Sequence, residues 1–426
     1  MVGCTNVCVR RLAQGRWSVQ MRFWRFLANR RVTVEKLIDG WSDQTRVAAA
    51  GRHVLAIQDT SEIRFATTPE NRRGLGKVKK GNTHGVLMHA MIAVDADGDG
   101  LLGLVGGRVW TRTGEAKTPH AKRPVAEKES ARWIVTAEAA KATLAAAAII
   151  TVVDDREGDF YAHWSQTPDE RTHLLTRLRD DHAVIKGGTV RKAIARRPVV
   201  AQAVIELRER PDRRPRQAHV SLRFGELLLK RPKNTIDSDL PVSVRVNVVE
   251  VVELHPPKGA EPIHWILLTT HDVEAVTDAW RLVGWYKRRW IAEQLFRTMK
   301  LRGLRIEDAQ LETADRLCKL VAIAAHAAAI VMQLVQARDG RDAQPAGLAF
   351  SQDEIKLIAR LNQRMQGKVD RQKNPHPDGS LAWAAWVIAK LGGWHEYQAK
   401  PPGPITFANG LTYFRAFAAG SAFENA

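Results

Sequence analysis

Two short apolar runs, each closed by acid, organise the front half of the chain: His53-Val54-Leu55-Ala56-Ile57-Gln58-Asp59 and Ile149-Ile150-Thr151-Val152-Val153-Asp154-Asp155. Continuous apolar stretches of this length read as strands buried on both faces. Residues 22 to 52, before the first run, have helical character and end in Ala48-Ala49-Ala50-Gly51. Two further β-type runs, Val86 to Val94 and Leu101 to Trp110, flank Asp95-Ala96-Asp97-Gly98-Asp99-Gly100. That turn copies the opening of a calcium loop, but its twelfth position is Gly106 and its flanks are strands, so a hairpin turn is expected. An Ala-rich helix over about 131 to 147 leads into the second acid-closed run. Strand, hairpin, helix, strand is the layering of an α/β domain around a mixed sheet. From about 186 to 270 the pattern turns to alternating β-type runs (Val199 to Leu207, Val220 to Leu229, Val242 to Leu254, Ile263 to Thr270) separated by Pro-rich turns, which predicts an antiparallel β insertion. Helical periodicity returns over Trp285 to Lys300 and about 312 to 338. The stretch Leu320 to Val335 is the most apolar; it carries His326 and Gln333, is short for a membrane span, and reads as a buried helix.

Charge narrows the partners. Of 426 residues, 65 are Lys or Arg and 46 are Asp or Glu, a formal charge of +19. An excess of that size points to a polyanion, with nucleic acid ahead of an anionic membrane because no strongly amphipathic basic helix stands out. Basic side chains collect in the loop holding Arg72, Arg73, Lys77, Lys79 and Lys80, and in the segment 208–216. Met1 to Met21 contains Arg10, Arg11 and Arg16 and no long apolar run, so no signal peptide is expected. Cys4, Cys8 and Cys318 form neither a disulfide nor a zinc framework; free thiols in a cytoplasmic protein are expected.

The stretch Trp285 to Lys300 carries the sharpest chemistry. Tyr286, Arg289, Glu293 and Lys300 are spaced by three, four and seven residues. At about 3.6 residues per turn all four share one face of a continuous helix. A solvated face with i,i+4 ion pairing makes the same pattern; so does a helix that meets a metal ion and a phosphate backbone together. Asp59 and Asp155 each follow a buried strand, and acids at neighbouring strand ends converge at one sheet edge. Each acid alone also fits a turn or helix cap. Three carboxylates together need cations, and hard oxygen ligands suit Mg²⁺ or Mn²⁺. Two such ions serve phosphodiester chemistry.

Asp59-Thr60-Ser61, the run Asp155-Arg156-Glu157-Gly158-Asp159, and Tyr286, Arg289, Glu293 and Lys300 resemble the three signature regions of the DDE transposases of the insertion-sequence-4 family, which includes the transposase of transposon 5. The likeness extends through Val246 to Val249, Pro256 to Gly259 and Trp265 to Thr270 and covers roughly 22 to 420. It implies a ribonuclease H-like mixed-sheet catalytic core at 53–310 with the β insertion at about 186–270. It also implies a helical dimerisation region at 311–426 and, at 1–52, a shortened N-terminal helical DNA-binding region, since only 58 residues precede Asp59.

By the same resemblance Asp59, Asp155 and Glu293 are the catalytic, metal-binding triad. Asp154 competes for the second place, and Asp155 is preferred because it starts the Asp-Arg-Glu-small-Asp run. Tyr286, Arg289 and Lys300 are expected on DNA phosphates near the scissile bond, and Arg177 and Arg179 fall where the family places further DNA contacts, although a solvated strand face explains those two equally well. Trp265 lies in an apolar strand and so fits core packing; the resemblance implies instead that it receives a flipped base, where stacking returns about 1–3 kcal/mol. The expected activity is cut-and-paste transposition by a homodimer on terminal inverted repeats and target double-stranded DNA, in a bacterial, nucleoid-associated setting. A nuclease of the same fold that never joins strands and a non-catalytic DNA-binding remnant are the alternatives.

Overall fold

The computed structural model describes the chain except residues 1–6, 14, 69–70, 79–82, 113, 115–117, 120–121, 208–214, 302–303, 342, 396–399 and 425–426. Lys79, Lys80, Cys4 and the basic segment 208–214 lie outside the described residues.

Four N-terminal helices, α1 (Val9–Leu12), α2 (Trp17–Ala28), α3 (Val34–Asp39) and α4 (Asp43–Ala48), replace the broad helical region expected over 22 to 52. The chain breaks where it meets Asn29-Arg30-Arg31 and Gly40, and Thr33 caps α3 by accepting from Lys36 N–H. Then follow the strands β1 (His53–Arg64), β2 (Gly76–Lys77), β3 (His84–Asp95) and β4 (Leu101–Trp110), helix α5 (Ala131–Thr143), β5 (Ile149–Asp154), α6 (Tyr161–Gln166), β6 (Thr172–Arg177) and α7 (Val190–Ala195). Strands β7 (Ala201–Leu207), β8 (Arg216–Lys230), β9 (Ser243–Glu253) and β10 (His264–Thr269) come next. The chain closes with α8 (Val276–Lys287), α9 (Trp290–Lys300), α10 (Ala314–Ala337), α11 (Gln352–Met365), α12 (Leu381–Leu391) and α13 (Pro404–Glu424).

All ten strands belong to one sheet, in the order β2-β3-β1-β5-β6-β10-β9-β8-β7, with β4 also on β3. Among the described residues only β1–β5 and β5–β6 pair parallel, so the fold is mixed α/β with a mostly antiparallel sheet and a helical C-terminal region. The β-type runs expected over 186 to 270 are β7 to β10, but they do not form a separate layer. Leu267 of β10 pairs with Arg177 of β6, and the sheet runs on without a break. This pairing is long-range and leaves no trace in local periodicity, and α6 and α7, of six residues each, are too short to show a helical period.

Alternation assigns each strand residue a face. Leu55, Ile57 and Val153 enter the core that includes α8, α9 and α10, while Val54, Ala56, Ile150 and Val152 enter the opposite core with α5 and α6. The expected hairpin joins β3 and β4, and its acidic turn has structural work: Asp95 pairs with Arg52, and Arg288 donates to the Asp95 and Ala96 carbonyls and pairs with Asp99 at 3.0 Å. Helix α10 is long and apolar enough to cross a membrane, yet 78% of its most apolar window is buried within the fold. It joins the first core to a third built by α11, α12 and α13. Buried Lys319 of α10 fastens α2, donating to the carbonyls of Leu27 at 3.1 Å and Asn29 at 3.3 Å while pairing with Asp315.

Candidate active site

Strand register brings the first two acids together. The parallel pairing of β1 and β5 ends at Ile57 opposite Val153; two residues further on come Asp59 and Asp155. Both have the parity of Ile57 and Val153, whose side chains face the α8–α10 side. Asp154 has the other parity. It is fully buried on the opposite face, where His163 of α6 meets its Oδ2 at 2.7 Å and Thr167 meets the other ring nitrogen at 2.7 Å. Asp154 therefore belongs to the structural core beneath the site.

The third acid arrives from α9. Arg289 joins it to the first: one guanidinium nitrogen lies 3.1 Å from Asp59 Oδ2 and the other pairs with Glu293 Oε1. Asp59 Oδ1 accepts the Thr60 N–H at 2.8 Å. Burial, then the nearby Asp155 charge, raises the Asp59 carboxyl to about 7; Arg289 and the Thr60 N–H oppose this, and Glu293 adds to it. Asp155 is also a cap, as its sequence context allowed: Oδ1 accepts the Glu157 N–H at 2.7 Å over a short 3₁₀ turn.

The expected continuous helix from Trp285 to Lys300 is two helices. At residues 288–289 the hydrogen bonds shorten to the i−3 pattern, from Arg288 to Trp285, Arg289 to Tyr286, Ile291 to Arg288 and Ala292 to Arg289. The local cause is tertiary: Arg288 and the Trp285 indole are both tied to the β3–β4 turn, while Arg289 is pulled to the sheet. Tyr286 is buried and hydrogen-bonds Arg289; burial pushes its phenol up against the opposing pull of Arg289 and Arg177. Lys300, at the far end of α9, donates to Ser61 Oγ at 2.8 Å, two residues beyond Asp59. Arg289, Glu293 and Lys300 thus lie beside Asp59 and Ser61 of β1, with Tyr286 hydrogen-bonded to Arg289.

Of the other sequence candidates, Arg177 lies at the end of β6, half-buried, donating to the His264 carbonyl at 2.9 Å. Burial, then Arg156 and Arg289 among its neighbours, lowers its pKa. Trp265, two residues from the Leu267 that pairs with Arg177, is partly buried and packs on the first core. Arg179 is placed apart: its N–H binds Asp159 Oδ2 at 2.7 Å and its guanidinium pairs with Asp180.

Sequence reasoning missed the support beneath Asp59. Thr60 Oγ1 meets His89 at 2.8 Å and accepts from Arg132 at 3.0 Å; Arg132 in turn pairs with Glu157 at 2.6 Å, and His89 meets Gln58 at 2.9 Å. This network ties the Asp59-Thr60-Ser61 strand to the Asp155–Asp159 run. The only sequence signal was polar Gln58 inside an apolar strand. The small residue of that run also has a steric reason: a Cβ at Gly158 falls 2.6 Å from both Cβ and Oδ2 of Asp154. Gly158→Ala is accordingly expected to destabilise the protein by about 1–3 kcal/mol, the usual range for overpacking. Equilibrium urea unfolding measures it, and an unchanged midpoint would contradict the contact.

The donor chemistry suits a hard divalent cation: oxygen-only carboxylates, one of them, Asp59, raised to about 7 by burial first and then by the Asp155 charge. The positions do not yet make a cage. Among the described residues no group of three or more His, Cys, Asp and Glu side chains is arranged to hold a metal ion, and the Arg289 guanidinium supplies the positive charge between Asp59 and Glu293.

No protein-family model matches the chain. Among solved structures it is similar to a piggyBac transposase in a synaptic complex with hairpin DNA, with 10% identity and a TM-score of 0.34 over 76% of this chain. The chain spans 56% of the length of that relative.

Proposed function

We propose that the protein is a DNA transposase of the DDE type, of the insertion-sequence-4 kind, with a ribonuclease H-like core. The observation that carries this reading is the approach of Asp59 within β1, Asp155 just past β5 and Glu293 of α9 where the β1–β5 pairing ends, beside Arg177, Arg289 and Lys300. The chain's formal charge of +19 supports a polyanionic partner.

In this reading Arg289 and Arg177 grip phosphates of the transposon end through their planar forks, and Lys300 adds a point charge. Tyr286 orients Arg289, and Trp265 stacks on a base displaced near the cut. Asp59, Asp155 and Glu293 would be the residues to hold Mg²⁺, or Mn²⁺ in its place, and such ions would supply Lewis-acid stabilisation of the attacking and leaving oxygens. The chemistry is a series of in-line phosphoryl transfers at one site: water nicks a strand to leave a 3′-OH, that hydroxyl attacks the opposite strand to form a hairpin, water opens it, and the freed 3′-OH attacks target DNA. A homodimer holds two inverted-repeat ends, and the protein works on DNA inside a bacterial cell.

The test uses the DNA flanking the protein's reading frame. Purified protein with Mg²⁺ should nick the inverted-repeat ends and join them to a target plasmid, and Glu293→Ala should abolish both reactions. Nicking by the Glu293→Ala protein at the wild-type rate would refute the triad. Nicking without any joined product would identify a nuclease instead.

A further inference from the structure

The two ends of the sheet differ in how they are protected. At one end β2 is two residues long, and β4 is buried from Leu101 to Val105 and packed by α3, α4, α5 and α10. At the other, β7 pairs with β8, and among the described residues no strand lies on its second side. A strand paired on one side alone leaves a row of outward N–H and C=O groups. Soluble proteins blunt such an edge with lysine, proline, a bulge or a very short strand. Strand β7 uses none of these. It is seven residues long, Ala-Gln-Ala-Val-Ile-Glu-Leu, pairs with β8 in unbroken register and carries one charge, Glu206. Val199, Val200 and Val204 stand exposed along it, Val204 at 51%. Such an edge is suited to pairing with a strand of another chain.

The residues of β7 match their own reverse. Two copies can lie antiparallel about a two-fold axis that passes through Val204 perpendicular to the sheet, so that each face continues into the same face of the partner. On the exposed face Val204 then meets its own copy, and Gln202 lies opposite Glu206, an amide donor against a carboxylate. On the core face Ala201 lies opposite Leu207 and Ala203 opposite Ile205, small against large at both places. Ile205 and Leu207 are buried and the two alanines partly buried. Moving the axis to Ala203 or Ile205 sets Val204 against Gln202 or Glu206 and loses the match.

We infer that β7 is a self-association edge: a second copy of this chain adds its own β7 antiparallel, with Val204 at the two-fold axis, and the two sheets become one. The inference is independent of the transposase reading, because it uses neither the acids nor any DNA contact. One strand pair buries less than the roughly 1,600 Å² of a standard interface, so the dimer is expected to be reversible.

The test is sedimentation velocity of the full chain, freed of nucleic acid, over an about hundredfold range of concentration. At about 0.15 M salt a Debye length of about 8 Å screens the long-range repulsion between two chains of charge +19. Wild type is expected to pass from monomer to dimer as concentration rises. Val204→Lys sets two like charges at the axis, at a position already exposed, and should stay monomeric throughout. Gln202→Glu meets Glu206 with a like charge and should weaken the dimer, while Gln202→Lys meets it with an opposite one and should tighten it. Each shift should be about tenfold, from two symmetry-related pairs. Circular dichroism melts show whether each variant is folded, and the two Gln202 changes carry the test if Val204→Lys is not. A wild-type chain that stays monomeric, or a dimer that folded Val204→Lys leaves intact, overturns the proposal. Gln202 variants that shift the dimer in the same direction overturn self-pairing in this register.

Discussion

Asp59→Asn is expected to stabilise the protein while removing the strand cleavage proposed for it. Burial and the neighbouring charges of Asp155 and Glu293 outweigh Arg289 and the Thr60 N–H, so the Asp59 carboxyl is raised from 3.8 to about 7. The sign follows from linkage. The folded chain binds the Asp59 proton more tightly than the unfolded one, so this residue makes stability fall as pH rises from about 4 to about 7, and the full loss persists above 7. A neutral side chain of the same shape escapes that loss. At pH 8 the variant should therefore melt a few degrees above the parent, a shift corresponding to about 1–2 kcal/mol. The difference should close as the pH is lowered towards 4. Burial first of all also lowers the pKa values of His53, His173 and His271, with His53 falling to about 4 and His271 to about 2. Their protonation weakens the fold on acidification below about 6.5, but equally in both proteins, so the comparison isolates Asp59. Divalent-ion-dependent strand cleavage should fall by about three orders of magnitude, because several kcal/mol of charge stabilisation are lost at about 1.4 kcal/mol per decade. Thermal melts across pH and a nicking assay read the two effects, and a variant that is both less stable at pH 8 and still active would sink the assignment.

His163→Leu should have the opposite profile, with a large loss of stability and little effect on the chemistry of whatever remains folded. His163 and Asp154 are both completely buried and 2.7 Å apart. Burial pushes the Asp154 carboxyl up, and the His163 contact opposes it. Removing one partner leaves a buried acid unmatched, which costs about 3–5 kcal/mol. Thr167, which meets the other imidazole nitrogen, loses its partner as well. Replacing both members by apolar residues, Asp154→Val with His163→Leu, should recover most of that loss, because no buried charge is then left alone. Urea unfolding of the single and double variants measures this directly. A single variant within about 1 kcal/mol of the parent would mean that the pair does not act as a buried unit. Because Asp154 lies on the face opposite Asp59, cleavage per folded molecule should survive in the double variant.

These paired expectations show how far the sequence could be read. Asp59, Asp155 and Glu293 were legible because apolar runs that end in acid and a polar stripe at helical spacing are local patterns. The choice of Asp155 over Asp154 rested on a motif; side-chain parity gives it a physical reason, since one residue along a strand reverses the face. A 3.6-residue period predicts a continuous helix through Arg288 and Arg289, because it does not report that one arginine is held by the β3–β4 turn and the next by β1.

The sequence by itself determined most of the long strands and helices, that the chain is basic, and which acids are candidates for a shared site, because propensity, alternation and charge act between neighbours along the chain. Tertiary structure alone decided that β7 to β10 extend the central sheet, that α10 is a core helix bridging two hydrophobic clusters, and that Arg289 joins Asp59 to Glu293. Those outcomes depend on register and packing between residues far apart in the chain, 230 positions for Arg289 and Asp59, where the gain from burial and ion pairing is weighed against every other arrangement of the same elements.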